Sequence, residues 1–199
     1  MTREEFRAMV QANIRQRPGL RQALRADALQ FAANRGEPTG TMTNWGQWRT
    51  AWRMVWGSDD YLGVVFYRLR TWLHERGVPI LPMILHRLCI VFFGIRIGDR
   101  VVIGEGVYFP HGNVVIDGVA VIGTRCVICP WITIGVKQGS FFAPHIGDRV
   151  FLGTGAKVIG NVIVGHRANV GAGSVVIDDV PDGASVAGVP ARVLGLSGG

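Results

Sequence analysis

The chain has 199 residues, 48% apolar and 18% charged, a balance that excludes a disordered polymer and suits one large domain with a smaller appendage. Three cysteines are too few, and odd in number, for a disulfide framework, so a reducing compartment is expected. The net charge of +7 is concentrated early: residues 1–95 hold 13 arginines against 7 acids, and residues 96–199 hold 8 basic against 7 acidic groups.

Those early arginines fall at near-helical spacing (Arg3, Arg7; Arg17, Arg21, Arg25; Arg49, Arg53). They read as solvated helix faces, not as the dense stripe that nucleic acid requires, and no nucleic-acid partner is expected. The opening "MTREEFRAMVQ" lacks an apolar core followed by a cleavage site, so no secretory signal is expected and the location is read as cytoplasmic. Apolar residues three and four apart predict helices over "REEFRAMVQANIRQ" and "GLRQALRADALQFAANRG", with Gly36 as a stop. "EPTGTMTNWG" reads as a loop. "QWRTAWRMVW" and "YLGVVFYRLRTWLHERG" read as further helices, the second ending at Gly77.

"VPILPMILHRLCIVFFGI" is apolar enough to raise a membrane reading. A spanning helix needs about 20 apolar residues. Here His86 and Arg87 divide the stretch, and Pro79 and Pro82 break its start. A buried or subunit-facing helix is expected, with peripheral contact of residues 78–95 at the inner membrane surface as the second reading.

From residue 96 the chain changes character. It holds 20 of the 28 glycines and repeats every six residues as aliphatic–Gly–x–x–small–x. Thirteen units begin at Ile97, Ile103, Phe109, Ile116, Ile122, Ile128, Ile134, Ile146, Leu152, Val158, Val164, Val170 and Val176. The second position is glycine in 8 of the 13, and the fifth is Val, Ala, Ile, Cys or Ser in 11, so the pattern sets a fold and is not chance. A short strand turns its aliphatic residue inward, and a small residue fits the following corner. Three such sides close a coil, and each coil finds its core only by stacking on neighbours. The expected class is α+β: a helical region over 1–95, a β-helix over 96–194 and a flexible tail over 195–199. The period slips once, Phe109 to Ile116 being seven residues apart, and His111 sits in the slip. The gap from Ile134 to Ile146 is twelve and holds "GVKQGSFFAPH", read as one excursion loop.

These units, the histidine at the slip, the loop and "LGTGAKVIGNVIVGHRANVGAGSVVIDDVPDGASVAGVPARVL" together resemble the hexapeptide-repeat acyltransferases, most closely their serine acetyltransferase-like branch. The resemblance implies a left-handed parallel β-helix, a homotrimer with sites between prisms, and acetyl-CoA as donor. It places His111 on the catalytic histidine. A neutral imidazole suits a general base that takes a hydroxyl proton as the hydroxyl attacks a thioester. Backbone N–H groups at a tight turn would hold the oxyanion. Asp117 or Glu105 could orient His111, and His145 in the loop is a second catalytic candidate, or else a loop anchor.

For the donor, Gly171, Ala172 and Gly173 would let the pantetheine arm run close to the backbone. Gly155, Ala156, Gly188 and Pro190 belong to the same run of repeats. Lys157, Arg167 and Arg192 could meet phosphates, Arg192 foremost. Three positions depart from the serine acetyltransferase pattern: Pro110 and Arg96 stand where aspartates are carried, and Ala143 where a second histidine is. They direct the expected acceptor toward a sugar or metabolite hydroxyl in place of free serine. A serine O-acetyltransferase of cysteine biosynthesis and a non-catalytic trimeric scaffold are the alternatives. No metal is expected, because His111, His145 and His166 lack a close pair. Cys126 and Cys129 form a CxxC that packing explains, Cys126 filling a small corner position.

Overall fold

Five helices come first: α1 (Arg3–Ile14), α2 (Leu20–Asn34), α3 (Asn44–Gly57), α4 (Asp59–Glu75) and α5 (Leu81–Phe93). The structure, a computed structural model, describes residues 3–40, 42–140 and 142–196. Gly36 and Gly77, both at positive φ, follow the ends of α2 and α4, as the sequence leads one to expect. α3 begins at Asn44, three residues before the expected helix start at Gln47, because the Thr43 hydroxyl accepts the Gly46 N–H at 3.2 Å and caps the helix. Ser58 caps α4 in the same way, accepting from Tyr61 N at 3.3 Å, and Asp59 and Asp60 complement the dipole in the first turn.

α5 is buried on one face only, through Pro82, Leu85 and Cys89. Met83, Ile84, Val91 and Phe92 are exposed, so of the expected buried or subunit-facing helix a single stripe is buried within this chain. Trp45, Trp48, Trp52 and Trp56 of α3 are exposed as well. Among the described residues, no helix is long and apolar enough to cross a membrane.

The repeats build a left-handed β-helix of three sheets. The first holds β1 (Ile95–Ile97), β3 (Val114–Ile116), β6 (Thr133–Gly135), β9 (Lys157–Ile159) and β12 (Val175–Val176). The second holds β2 (Val102–Ile103), β4 (Val121–Ile122), β7 (His145–Ile146) and β10 (Ile163–Val164). The third holds β5 (Val127–Ile128), β8 (Phe151–Leu152), β11 (Asn169–Val170), β13 (Ala184–Gly188) and β14 (Ala191–Leu196). Pairing is parallel apart from the closing β13–β14 hairpin. All thirteen unit-opening residues point inward, none more than 3% exposed, and the small residues at the fifth position line the corners. Full burial of such a side chain is worth about 1.5–3 kcal/mol, so the repeat is its own stabilising core.

Two boundaries differ from expectation. Ile95 pairs with Val114, so the prism begins at β1 and not at residue 96. Gly195 and Leu196, expected in a loose tail, pair with Ser185 and Ala184; residues 197–199 lie outside the described residues. The excursion leaves after Gly135, and Ala143 and Pro144 are already buried where it rejoins, Pro144 O accepting from Val121 N at 3.2 Å. Phe141 in that loop lies outside the described residues.

The helices are bolted to the prism by Arg68 of α4. Its guanidinium donates to both carboxylate oxygens of Asp27 (2.9 and 3.2 Å) and to the carbonyls of Ile103 (2.8 Å) and Gly104 (2.6 Å). Asp27 in turn accepts the Val107 N–H at 3.0 Å. One continuous core runs from Phe31, Tyr61 and Val64 into Ile95, Val101 and Phe109.

Candidate active site

The period slips because the chain makes a bulge. Tyr108 pairs with Val127, nineteen residues on, while Val115 pairs with Thr133, eighteen on, so one extra residue is inserted between them. His111, Gly112 and Asn113 are consecutively left-handed, at φ 61°, 56° and 52°. Gly112 is required there, since a Cβ would overlap the Phe93 carbonyl oxygen at the end of α5. Asn113 N donates to that same carbonyl at 3.3 Å, and its side-chain amide donates to His111 O at 3.2 Å. The bulge is thus clamped from behind, and the His111 side chain stands 84% exposed in front.

Facing it is Asp60, in the first turn of α4, with its Oδ2 4.0 Å from His111 Nδ1. That is ion-pair range once the imidazole is protonated. Tyr108 lies against the same ground, its ring edge-on to Phe31 at 4.6 Å. Burial, and secondarily the Asp60 charge, hold its phenol above the ordinary tyrosine range, so it stays protonated.

His111 also heads an edge of the prism, the corner between the third and first sheets. Down this edge Trp131 N donates to Asn113 O (2.7 Å), Gly155 N to Pro130 O (2.9 Å) and Gly173 N to Thr154 O (2.8 Å). Gly155, Ala156, Gly171, Ala172 and Gly173 therefore share an edge with His111. Gly188 continues it, donating to Ser174 Oγ at 3.2 Å. Lys157 opens β9 beside it, with Nζ on Gly155 O at 3.1 Å. Pro190 and Arg192 lie in the closing hairpin, and Arg192 pairs with Asp178 at 3.1 Å, both exposed.

Other candidates fall elsewhere. Asp117 accepts the Gly118 N–H at 2.7 Å in its own turn, and the acid across from His111 is Asp60. His145 is exposed on β7, in the second sheet. His166 accepts from Asp148 N at 3.0 Å at a different corner, which also carries Arg167 and Glu105. The three histidines are not brought together, and among the described residues no group of three or more His, Cys, Asp or Glu side chains could hold a metal ion. Cys126 is buried and its thiol is pushed up to about 12, chiefly by that burial.

Asp60 and Trp131 escaped the sequence reading. Asp60 had a signal only as part of a helix cap. Trp131 is a bulky aromatic at the fourth position of a unit, where Gly155 and Gly173 stand in later units.

Residues 143–178 match the family model described as bacterial transferase hexapeptide (six repeats). The serine acetyltransferase of Synechococcus elongatus is 36% identical over 69% of this chain, and this chain spans 58% of that relative's length. The solved structure of soybean serine acetyltransferase complexed with serine is 32% identical, with a TM-score of 0.73 over 89% of this chain and 70% of the other. The chain belongs to the serine acetyltransferase branch of the hexapeptide-repeat acyltransferases. A further member of that branch, the Brucella abortus serine acetyltransferase in complex with coenzyme A, is 28% identical, with a TM-score of 0.77 over 98% of this chain and 74% of the other.

This corrects the expected acceptor. A sugar or metabolite hydroxyl is inferred from Pro110, Arg96 and Ala143, yet serine acetyltransferases match over most of the chain. Those positions were read as if the acid beside the histidine had to come from the coils. In the folded chain an acid reaches it from α4 instead.

Proposed function

We propose that this chain is a serine O-acetyltransferase, moving the acetyl group of acetyl-CoA to the hydroxyl of serine. The observation that carries the reading is the exposed His111, projected by a clamped bulge beside Asp60 at the head of a glycine-lined edge. The membership of the serine acetyltransferase branch supports the choice of donor and acceptor.

In this reading His111 takes the serine Oγ proton as that oxygen attacks the thioester carbonyl. The C–S bond then breaks, and the imidazolium returns its proton to the departing thiolate, giving O-acetylserine and free CoA. Asp60 is a positioning residue, its charge favouring the imidazolium that forms between the two steps. The donor lies along the edge through Gly155 and Gly173, where the backbone is bare, with Lys157 and Arg192 as phosphate contacts. The homotrimer completes the cleft. Exposed Val115, Phe151, Ile163 and Ile177 on the outer faces of the prism support it.

Incubation with acetyl-CoA and serine, followed by mass spectrometry, tests the reaction. O-acetylserine forming in step with CoA release is expected. CoA release that is absent, or indifferent to serine, overturns the reading.

A further inference from the structure

Trp131 takes no part in the chemistry above, and its conformation is costly. Its φ is 66°, the left-handed value that the fourth position of a unit also takes at Arg125, Arg149 and Arg167, and one that a bulky side chain adopts only at a cost. Its neighbours in the same column of turns are Asn113 above and Gly155 and Gly173 below, at φ 52°, 73° and 68°. Only at Trp131 does the column carry a large ring. Core packing does not offset the strain, because the residue is 64% exposed. Strain without burial points to a role at the surface.

Its place on the edge says which role. Trp131 N is held by Asn113 O, and the Asn113 side chain holds the His111 carbonyl. Gly155 N, one coil below, donates to Pro130 O in the same turn as Trp131. Trp131 therefore occupies the coil between that of His111 and the first of the bare glycines, one coil spacing of about 4.8 Å from either.

We propose that Trp131 is a positioning residue of the donor site: its ring is the wall against which the last part of the pantetheine arm and the thioester pack, setting the carbonyl before His111. The inference rests on the donor reading of the previous subsection. The chemistry fits. The arm is a run of methylenes and amides, an indole face covers methylenes, and Nε1–H can donate to an amide carbonyl.

Trp131→Gly tests this cleanly, because glycine adopts the left-handed turn freely, as Gly155 and Gly173 do. The melting temperature should hold or rise. kcat/KM for acetyl-CoA should fall at least about tenfold, the scale of losing a buried aromatic anchor, with the serine KM unmoved. Trp131→Phe should return most of the loss. A Trp131→Gly enzyme with wild-type kinetics toward acetyl-CoA overturns the proposal. So does a variant that loses its assembly in light scattering, which would make the ring a subunit contact. A wild-type protein showing no saturable response to acetyl-CoA marks failure of the donor reading itself, and the proposal falls with it.

Discussion

His111, Gly112 and Asn113 form a run of three left-handed residues, and what makes it affordable is the end of α5 behind it. The Phe93 carbonyl leaves no room for a side chain at Gly112 and accepts the Asn113 N–H, so the backbone is pinned from behind and the His111 side chain projects outward. Asp60 then meets it from the front. An exposed pair of this kind is worth about 0.2–1 kcal/mol at rest, and the worth grows where bound substrate excludes water. Asp60→Asn should lower kcat by about three- to tenfold and leave the acetyl-CoA KM unchanged, as steady-state kinetics would show. An unaltered kcat would remove Asp60 from the mechanism. The importance of His111 could be read from the chain because the slip displaces it from the period. Asp60 could not, because its contact joins a helix to a coil some fifty residues on, and a six-residue pattern carries no information about how helices dock.

At the scale of elements, the prism was legible unit by unit. Each opening aliphatic residue and each small fifth residue has a buried place, since a coil three strands around has no other way to fill its centre. The helices were legible as helices, their ends marked by Gly36 and Gly77, but their seating was not. It depends on the buried Arg68–Asp27 pair, two residues that the helical spacing does not single out. Arg68→Met would leave the Asp27 carboxylate buried without its cation, a change that costs roughly 3–5 kcal/mol. The double substitution Asp27→Leu with Arg68→Met removes both charges and should recover part of that loss. Urea unfolding midpoints at constant slope measure both. If the single and double variants unfold alike, the ion pair is not what joins the helices to the coils.

The whole molecule presents apolar surface that one chain leaves uncovered: Ile163 and Ile177 on the prism, and the tryptophans of α3 beyond it. A cleft built on an exposed edge also needs a second wall. In the proposed homotrimer, three chains packed prism to prism would supply both, so light scattering at working concentration should give the mass of a trimer or a multiple of it. A monomer would contradict this. Sequence alone could not have sized that surface, because an outward Ile on a two-residue strand looks the same whether a neighbour or water covers it.

The claim that joins these scales is that the bulge exists to present a proton acceptor. His111→Ala tests it most directly. Alanine keeps Phe109 inward and Gly112 in place, so far-UV circular dichroism and acetyl-CoA affinity should match the wild type. General-base catalysis contributes roughly 10²–10⁴-fold, and serine-dependent CoA release should fall by about that factor. A His111→Ala protein that acetylates serine at near the wild-type rate would show that His111 is a turn residue and no more.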